Sequence, residues 1–244
     1  GLYQVDDFNY DASTQTYTLK DGVPYHGDKG QIRPGMWKFK NLTGDDNVID
    51  ENDKTVIGNA QPKFYGGLNN SFTYKGFDLS IFLTFSYGNE VLNATKLVTS
   101  KVGSLNYNAL DVMNSSNRWM TINTEGEKVT DPGELAVLNA GKTVAVYHDA
   151  QQGDNYIHSW AVEDASYLKL SNVTLGYTFP KNLIARVGLK NLRLYATGNN
   201  LLTWTKYSGF DPEVSTMKSG LTPGVDFGAY PLSRSFIFGL NVAF

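Results

Sequence analysis

The chain has 244 residues, with 15 tyrosines, 13 phenylalanines, 24 glycines and no cysteine, and this composition favours strands and turns over helices. The lack of cysteine excludes disulfides and thiolate metal sites. The formal net charge is -3 and no basic cluster with interleaved aromatic residues is present, which argues against nucleic acid as a partner.

The first 62 residues are polar, aromatic and rich in turn residues, as in the opening GLYQVDDFNYDASTQTY. Nothing in them is long and apolar enough to span a membrane, and the whole chain lacks an apolar run of 18 residues, so no transmembrane helix is predicted. No signal peptide is visible at the start. We therefore expect residues 1–62 to form a loop region and the chain to be a piece of a longer protein.

Five later segments alternate strictly between apolar and polar or small side chains, which predicts β-strands with one apolar face. The segments are Lys63–Tyr74, Phe77–Tyr87, Tyr167–Phe179, Leu192–Leu202 and Ser235–Phe244. They have 10 to 13 residues, whereas a typical strand of a soluble protein has about 5 to 6. Strands that cross a bilayer as part of a barrel need about 9 to 11 residues, so the lengths favour a membrane barrel.

Charged residues are rare in these five segments and mostly share the polar face. Lys63, Asp78 and Arg193 lie on that face, whereas Lys169 has the parity of the apolar residue Val173. A charge that faces lipid at mid-membrane costs about 2 to 4 kcal/mol. We therefore expect Lys169 to lie near the mouth of the barrel.

The connections between the five segments alternate in length. They have 2, 79, 12 and 32 residues in chain order, and short periplasmic turns that alternate with long extracellular loops are typical of outer-membrane barrels. This pattern predicts that residues 88–166, residues 203–234 and the first 62 residues are extracellular, and that the C-terminus is periplasmic. A soluble β-sandwich has no reason to sort its loops by side.

Three blocks of sequence resemble the C-terminal end of SusC/RagA-type TonB-linked outer-membrane transporters of Bacteroidetes. The blocks begin NLTGDDNVIDEND, EDASYLKLSNVTLGYTF and GAYPLSRSFIFGLNVAF, and they run over residues 41–93, 163–214 and 228–244. The resemblance implies an all-β fold in which this chain supplies the last five antiparallel strands of a 22-stranded transmembrane barrel embedded in outer-membrane lipid. It also implies a plug domain and a TonB box, neither of which is found in these 244 residues.

The family resemblance further implies a transporter rather than an enzyme. TonB would act through the missing N-terminal region, a SusD-like surface lipoprotein would be the partner, and the cargo would be oligosaccharides or, in some members, peptides. Polar-face residues would line the lumen or contact the plug; these are Asp78, Ser80, Thr84, Asn172, Thr174 and Arg193. Phe244 resembles the C-terminal signal by which such barrels are recognised for assembly, and it also fits a strand that simply closes the barrel.

The acidic motif in the first block resembles the calcium-binding loops found at this point of the family. Its candidate ligands are Asp45, Asn47, Asp50 and Asp53. The motif departs from the family pattern because Asn41 stands where Asp is common. It also has Asp-Asp-Asn in place of a shorter Asp-Gly, which adds a residue and removes the glycine of the sharp turn. These departures favour the alternative, a solvated acidic turn before a strand.

Aromatic residues next to the strands suggest a ligand site. Tyr156, Trp160, Trp204 and Tyr207 could stack on sugar rings, or they could form the aromatic girdle at the membrane surface or pack within loops. The three histidines lack zinc-site spacing, and no catalytic arrangement is indicated. The alternative to a transporter is a soluble or surface-attached β-sandwich that binds carbohydrate.

Overall fold

The structure of the chain is a computed structural model that describes residues 1–44, 46–100, 108–146, 156–217 and 220–244. These residues form two compact units. The mixed unit contains Gly1–Ile57 and Ala94–Ala161, and the sheet unit contains Gly58–Asn93 and Val162–Phe244.

Strands dominate the secondary structure of the described residues, and the helices are short. In chain order the strands are β1 (Phe8–Asp11), β2 (Thr16–Leu19), β3 (Tyr25–His26), β4 (Val48–Ile49), β5 (Phe64–Tyr74), β6 (Phe77–Tyr87), β7 (Glu90–Asn93), β8 (Val162–Asp164), β9 (Tyr167–Thr178), β10 (Asn191–Thr205), β11 (Val225–Asp226) and β12 (Ser235–Ala243). The α-helices are α1 (Ala94–Thr99), α2 (Pro132–Leu138) and α3 (Lys181–Ile184). Short 3-10 helices occupy Val5–Asp7, Lys29–Gln31, Glu51–Asp53, Asp111–Met113, Ser159–Ala161 and Ala185–Val187. Within the described residues, no helix has the length and apolar character needed to cross a membrane.

The five predicted strands form one antiparallel sheet in the order β12-β10-β9-β6-β5. This confirms the predicted strands and their antiparallel pairing. The boundaries differ most in β10, which was predicted to end at Leu202 and continues to Thr205. The prediction that Trp204 follows this strand was therefore wrong, because pairing with β9 continues through Trp204 and Thr205.

A β-bulge in β9 changes the face on which Lys169 lies. Phe82 of β6 pairs with Asn172, but the next residue, Leu83, pairs with Leu170, so Ser171 is an extra residue in β9. The pairing of β9 with β10 is irregular at the same point. A one-residue bulge reverses the parity of the residues that precede it. The prediction that Lys169 shares the face of Val173 was therefore wrong, and Lys169 pairs with the polar-face residue Thr84.

The hairpin between β5 and β6 turns within two residues. Lys75 and Gly76 have φ angles of 45° and 88°, as a type I′ turn requires at both central positions. Such a turn matches the right-handed twist of the flanking strands. It fixes the register in which Tyr74 pairs with Phe77.

A second, smaller sheet belongs to the same unit. Strand β7 pairs antiparallel with β8 and parallel with β11. Beside it, Val91, Ala165 and Tyr207 form a buried apolar cluster. The segment after β10 therefore contacts the segment after β6 through the pairing of β11 with β7 and the packing of Tyr207 on Val91.

The mixed unit has a hydrophobic core of its own. One cluster contains Trp37, Trp119 and Leu135, and a neighbouring cluster contains Tyr3 and Ile32. Residues predicted as two separate loop regions, 1–62 and 88–166, thus contribute to one packed unit.

Candidate functional site

The polar face of the five-stranded sheet brings together the six residues predicted to face a lumen. Across β6 and β9, Ser80 pairs with Thr174, and Asn172 and Thr84 occupy positions of the same face. Asp78 and Arg193 complete the set. The alternation of the strands was therefore sufficient to predict which of these residues share a face.

Asp78 and Arg193 form an ion pair that crosses the intervening strand β9, and we call it the cross-strand ion pair. Arg193 donates from Nε to Asp78 Oδ1 at 2.9 Å and from Nη2 to Oδ2 at 2.5 Å. The pair lies over Gly176, where a Cβ atom would come within 2.5 Å of Asp78 Oδ1 and of Arg193 Nη2. A side chain at this position would push the ends of the Asp78 and Arg193 side chains out of the bidentate contact, so glycine leaves room for the pair.

Further hydrogen bonds between side chains follow the polar face away from the cross-strand ion pair. Thr174 and Thr197 hydroxyl oxygens lie 2.8 Å apart, and Asn172 Nδ2 donates to Asn199 Oδ1 at 2.7 Å. The hydroxyl oxygens of Thr84 and Ser171 lie 2.6 Å apart, so the residue of the bulge also has a partner. The polar groups of this face are therefore largely paired with one another.

The opposite face of the sheet is apolar and exposed. Phe72, Phe236 and Phe238 are 58%, 66% and 80% exposed. An apolar surface that spans five strands is far larger than the isolated apolar side chains normal on a soluble protein. This face requires an apolar environment.

At the far end of the polar face from the hairpin turn, a charged cluster ties the segment after β10 to the sheet. Lys169 Nζ lies 2.5 Å from Glu213 Oε2, and the Tyr167 hydroxyl donates to Glu213 Oε1 at 2.6 Å. The Lys169 side chain is only 6% exposed. Sequence reasoning missed this cluster, although Leu170 and Val173 are separated by two polar residues, a break in alternation that signals the bulge.

An open cleft of about 430 Å³ lies beside this cluster within the sheet unit. Its lining includes Tyr65 of β5, the segment Pro212–Ser215, and Thr84, Ser86 and Asn89. Ser86 Oγ donates to Asn89 Oδ1 at 2.8 Å. Sequence reasoning missed the cleft, since its walls come from segments more than 100 residues apart.

Two of the four predicted ligand-contact residues lie in or after β10. Trp204 pairs with Leu168 on the apolar face and is 52% exposed. Tyr207 is 5% exposed, and its hydroxyl donates to Asp226 Oδ2 at 2.6 Å. Burial and this hydrogen bond raise the pKa of Tyr207, and the buried ring presents no free face to a ligand.

The other two lie in an aromatic cluster of the mixed unit. The ring of Trp160 lies 5.3 Å from that of Trp37, and the ring of Tyr156 lies 5.9 Å from that of Phe39. Tyr156 is 45% exposed. His158 lies between these rings, and its burial lowers its pKa to about 4, so it is neutral at physiological pH.

The acidic motif folds as a loop that Asp53 holds together. Asp53 Oδ1 accepts from the backbone N–H groups of Leu42 at 2.6 Å and Thr43 at 2.9 Å, and Oδ2 accepts from that of Asp50 at 2.9 Å. These hydrogen bonds lower the pKa of Asp53. Asp50 in turn accepts from the backbone N–H of Asn52.

The calcium site stays a prediction. Asp45 lies outside the described residues. Asn47 directly precedes β4. Among the residues that the structure does describe, no three His, Cys, Asp or Glu side chains are grouped so as to hold a metal ion. The predicted assembly signal, Phe244, directly follows β12 and is 80% exposed.

Comparison with known proteins places these features in a family context. No protein-family model matches the chain. TonB-dependent receptor P3 of Formosa agariphila is 36% identical over 220 residues, which are 88% of this chain and 20% of the receptor. TonB-dependent receptor SusC of Bacteroides thetaiotaomicron is 30% identical over 224 residues, which are 90% of this chain and 18% of SusC.

Solved structures agree in fold. The RagAB peptide transporter is 25% identical with a TM-score of 0.57, over 78% of this chain and 18% of that one. The RagAB peptide importer in its open-open state gives a TM-score of 0.59 at 23% identity, over 92% of this chain and 21% of that one. The chain spans about a fifth of the length of its curated relatives. The predicted resemblance is confirmed: over most of its length the chain matches TonB-dependent receptors of the SusC/RagA type.

Proposed function

We propose that the chain forms part of the wall of an outer-membrane barrel that imports nutrients with energy supplied through TonB. The observation that carries this proposal is the two-faced sheet, in which five strands of 9 to 15 residues have one apolar, exposed face and one polar face with paired charges. A charge facing lipid costs about 2 to 4 kcal/mol at mid-membrane. The apolar face therefore contacts lipid, and the polar face, with Asp78 and Arg193, looks into the lumen or onto the plug.

We propose the orientation from the lengths of the connections, because short turns lie on the periplasmic side of such barrels and long loops on the extracellular side. The tight turn at Lys75 and Gly76 lies on the periplasmic side, whereas the mixed unit and the segment after β10 lie outside the cell. Trp204, at the outer end of β10 on the apolar face, fits the aromatic girdle better than ligand contact. Phe244 would then end the barrel on the periplasmic side, where an assembly signal is read.

The proposed partners are TonB, which acts through a region upstream of these residues, and a SusD-like lipoprotein over the extracellular mouth. Oligosaccharides are the proposed cargo, and peptides are the alternative, since the RagAB structures are described as a peptide transporter. In this function the chain contributes walls and loops and performs no catalysis. A calcium ion at the acidic motif would serve only to stiffen the loop.

A soluble carbohydrate-binding β-sandwich is the competing function. A sandwich buries the apolar face of one sheet against a second sheet. In the described part of the chain the apolar face of the large sheet is exposed instead, which supports the membrane barrel.

Fractionation and uptake test the proposal together. The polypeptide that carries these residues should be found in the outer membrane of the source bacterium, should be released only by detergent, and should be several times heavier than 27.0 kDa. Uptake of fluorescent oligosaccharides should require both this polypeptide and TonB. Release without detergent, or uptake that persists without TonB, contradicts the proposal.

A further inference from the structure

A group of basic side chains lies at the end of the five-stranded sheet where the β5–β6 hairpin turns. The connection between β9 and β10 reaches the same end, since the backbone N–H of Thr178 donates to the carbonyl of Gly76 at 2.7 Å. The four basic residues of these two connections are exposed. We call them the basic turn group, and its members are Lys75, Lys181, Arg186 and Lys190.

The positive charge of the basic turn group is not offset by acidic side chains. No Asp or Glu occurs from residue 165 to residue 210, and Asp78 of the adjoining strand β6 is engaged by Arg193. Among the residues that the structure describes, no ion pair involves a member of the group. This end of the sheet therefore attracts anions.

A row of aromatic rings crosses the apolar face next to the basic turn group. Tyr74 of β5 pairs with Phe77 of β6, which pairs with Tyr177 of β9. The rings of Phe77 and Tyr177 lie 4.5 Å apart, and Lys75 Nζ lies 5.2 Å from the centroid of the Tyr74 ring. Aromatic residues of barrel strands gather at the boundary between hydrocarbon and headgroups. The basic side chains just beyond this row are therefore at the depth of the headgroups.

The connection between β9 and β10 combines its basic residues with exposed apolar ones. Helix α3 packs on β10, and Ile184 at its end is only 4% exposed, whereas Leu183 and Val187 are 54% and 71% exposed. Residues four apart lie on the same side of a helical turn, so Leu183 and Val187 form one apolar edge. Apolar side chains flanked by lysine and arginine suit a membrane surface, because the apolar groups enter the lipid and the charges stay with the headgroups.

We propose that the basic turn group binds the phosphate groups of anionic phospholipids in the periplasmic leaflet of the outer membrane, while Leu183 and Val187 enter that leaflet. The proposal rests on the proposed function, since it assigns a lipid partner to the periplasmic end of the barrel wall. A zwitterionic headgroup has no net charge, whereas each basic residue near an anionic surface strengthens binding about fivefold. The basic turn group therefore selects anionic over zwitterionic lipid.

The test uses the intact receptor that carries these residues, purified in detergent and titrated with phosphatidylglycerol or phosphatidylcholine, with the bound lipids counted by native mass spectrometry. We expect the wild-type receptor to prefer phosphatidylglycerol. The preference should fall by about tenfold to a hundredfold in a variant that combines Lys181→Gln, Arg186→Gln and Lys190→Gln, and the affinity for phosphatidylcholine should be unchanged.

A matched control removes the same charge from the other end of the sheet. It combines three substitutions of exposed basic residues, namely Lys63→Gln, Lys206→Gln and Arg234→Gln, and it should keep the preference for phosphatidylglycerol. In cells, a photoreactive amino acid in place of Val187 should form crosslinks with phospholipid on irradiation.

The outcomes separate this inference from the function on which it rests. Equal affinity of the wild-type receptor for the two lipids, an equal loss of preference in the two triple variants, or crosslinks from position 187 to a protein alone each overturn the lipid assignment while TonB-dependent uptake persists. A receptor that is released from cells without detergent, or uptake that persists without TonB, contradicts the importer itself.

Discussion

The ion pair between Lys169 and Glu213 allows a prediction in which a second substitution restores what the first removes. Glu213→Gln leaves the Lys169 ammonium without its carboxylate on a side chain that is only 6% exposed. Removing one partner of a fully buried pair costs about 3 to 5 kcal/mol. Since the Glu213 side chain is 34% exposed and water can reach the site, we expect a cost of about 2 to 3 kcal/mol.

Substitution of the other partner of the pair, Lys169, should cost less. Lys169→Met removes the buried charge and leaves Glu213 with the Tyr167 hydroxyl and solvent, so we expect about 1 kcal/mol. Combining both substitutions leaves no buried charge, and the cost should again be about 1 kcal/mol. The double variant is therefore more stable than Glu213→Gln alone.

Hydrogen exchange of the segment 206–217 in the intact receptor measures these differences, because Glu213 anchors that segment to β9. Exchange should accelerate about thirty- to a hundredfold in Glu213→Gln, as 1.4 kcal/mol corresponds to tenfold, and Lys169→Met should reverse most of the change. Lys206→Met, which removes an exposed charge of the same segment, is the control. Equal and additive effects of the two substitutions would refute the claim that a stranded ammonium causes the loss.

Three further predictions concern other parts of the chain. Gly176→Ala should destabilise the receptor by about 1 kcal/mol, because the added methyl group displaces the partly exposed side chains of the cross-strand ion pair. Urea unfolding in detergent can show this loss, whereas Gly220→Ala, which has no atom within 4 Å of the added Cβ, should be neutral. Hydrogen bonds lower the pKa of Asp53 below its ordinary 3.8, so the stability that they give the acidic loop is complete above that pH and is lost as the pH falls through the pKa of the folded state. Hydrogen exchange of the loop amides should accelerate over that fall in pH. It should be fast at every pH in Asp53→Asn but not in Asp46→Asn. Burial lowers the pKa of His158 from 6.5 to about 4, so the free energy of unfolding of the mixed unit should fall by about 3 kcal/mol as the pH drops from 6.5 to 4. A stability that is flat over that range, or that falls equally in His158→Phe, would contradict this.

Period-two alternation was sufficient to predict all five long strands and the sharing of one face by Asp78, Ser80 and Arg193. It failed at Lys169, because a single extra residue in β9 reverses parity without changing the overall composition of the strand. It also failed at the end of β10, where Thr203 and Thr205 continue an alternation that was taken to stop at Leu202. The local pattern carries both features, as the broken alternation between Leu170 and Val173 and the continued alternation to Thr205, whereas only strand pairing shows that Lys169 lies opposite Thr84.

The mixed unit could not be predicted from local pattern at all. Its core joins Tyr3, Trp37 and Trp119, which are far apart in sequence and lie in segments with no regular period. The Trp119 ring occupies the space where a Cβ atom at position 35 would lie, and Gly35 has a φ of 86°. Such a contact is specified by tertiary packing alone, so the sequence shows only a glycine and a tryptophan without indicating that they meet.

The two faces of the sheet also explain why the cleft and the ion pairs lie where they do. A strand that must present apolar side chains to lipid at every second position has only its alternate positions for polar function, and these all point to one side. Polar groups on that side must still be satisfied, and most pair along the sheet, as Thr174 does with Thr197. The two ion pairs and the cleft lie on this side for the same reason, because Asp78, Thr84 and Lys169 occupy polar positions of the sheet.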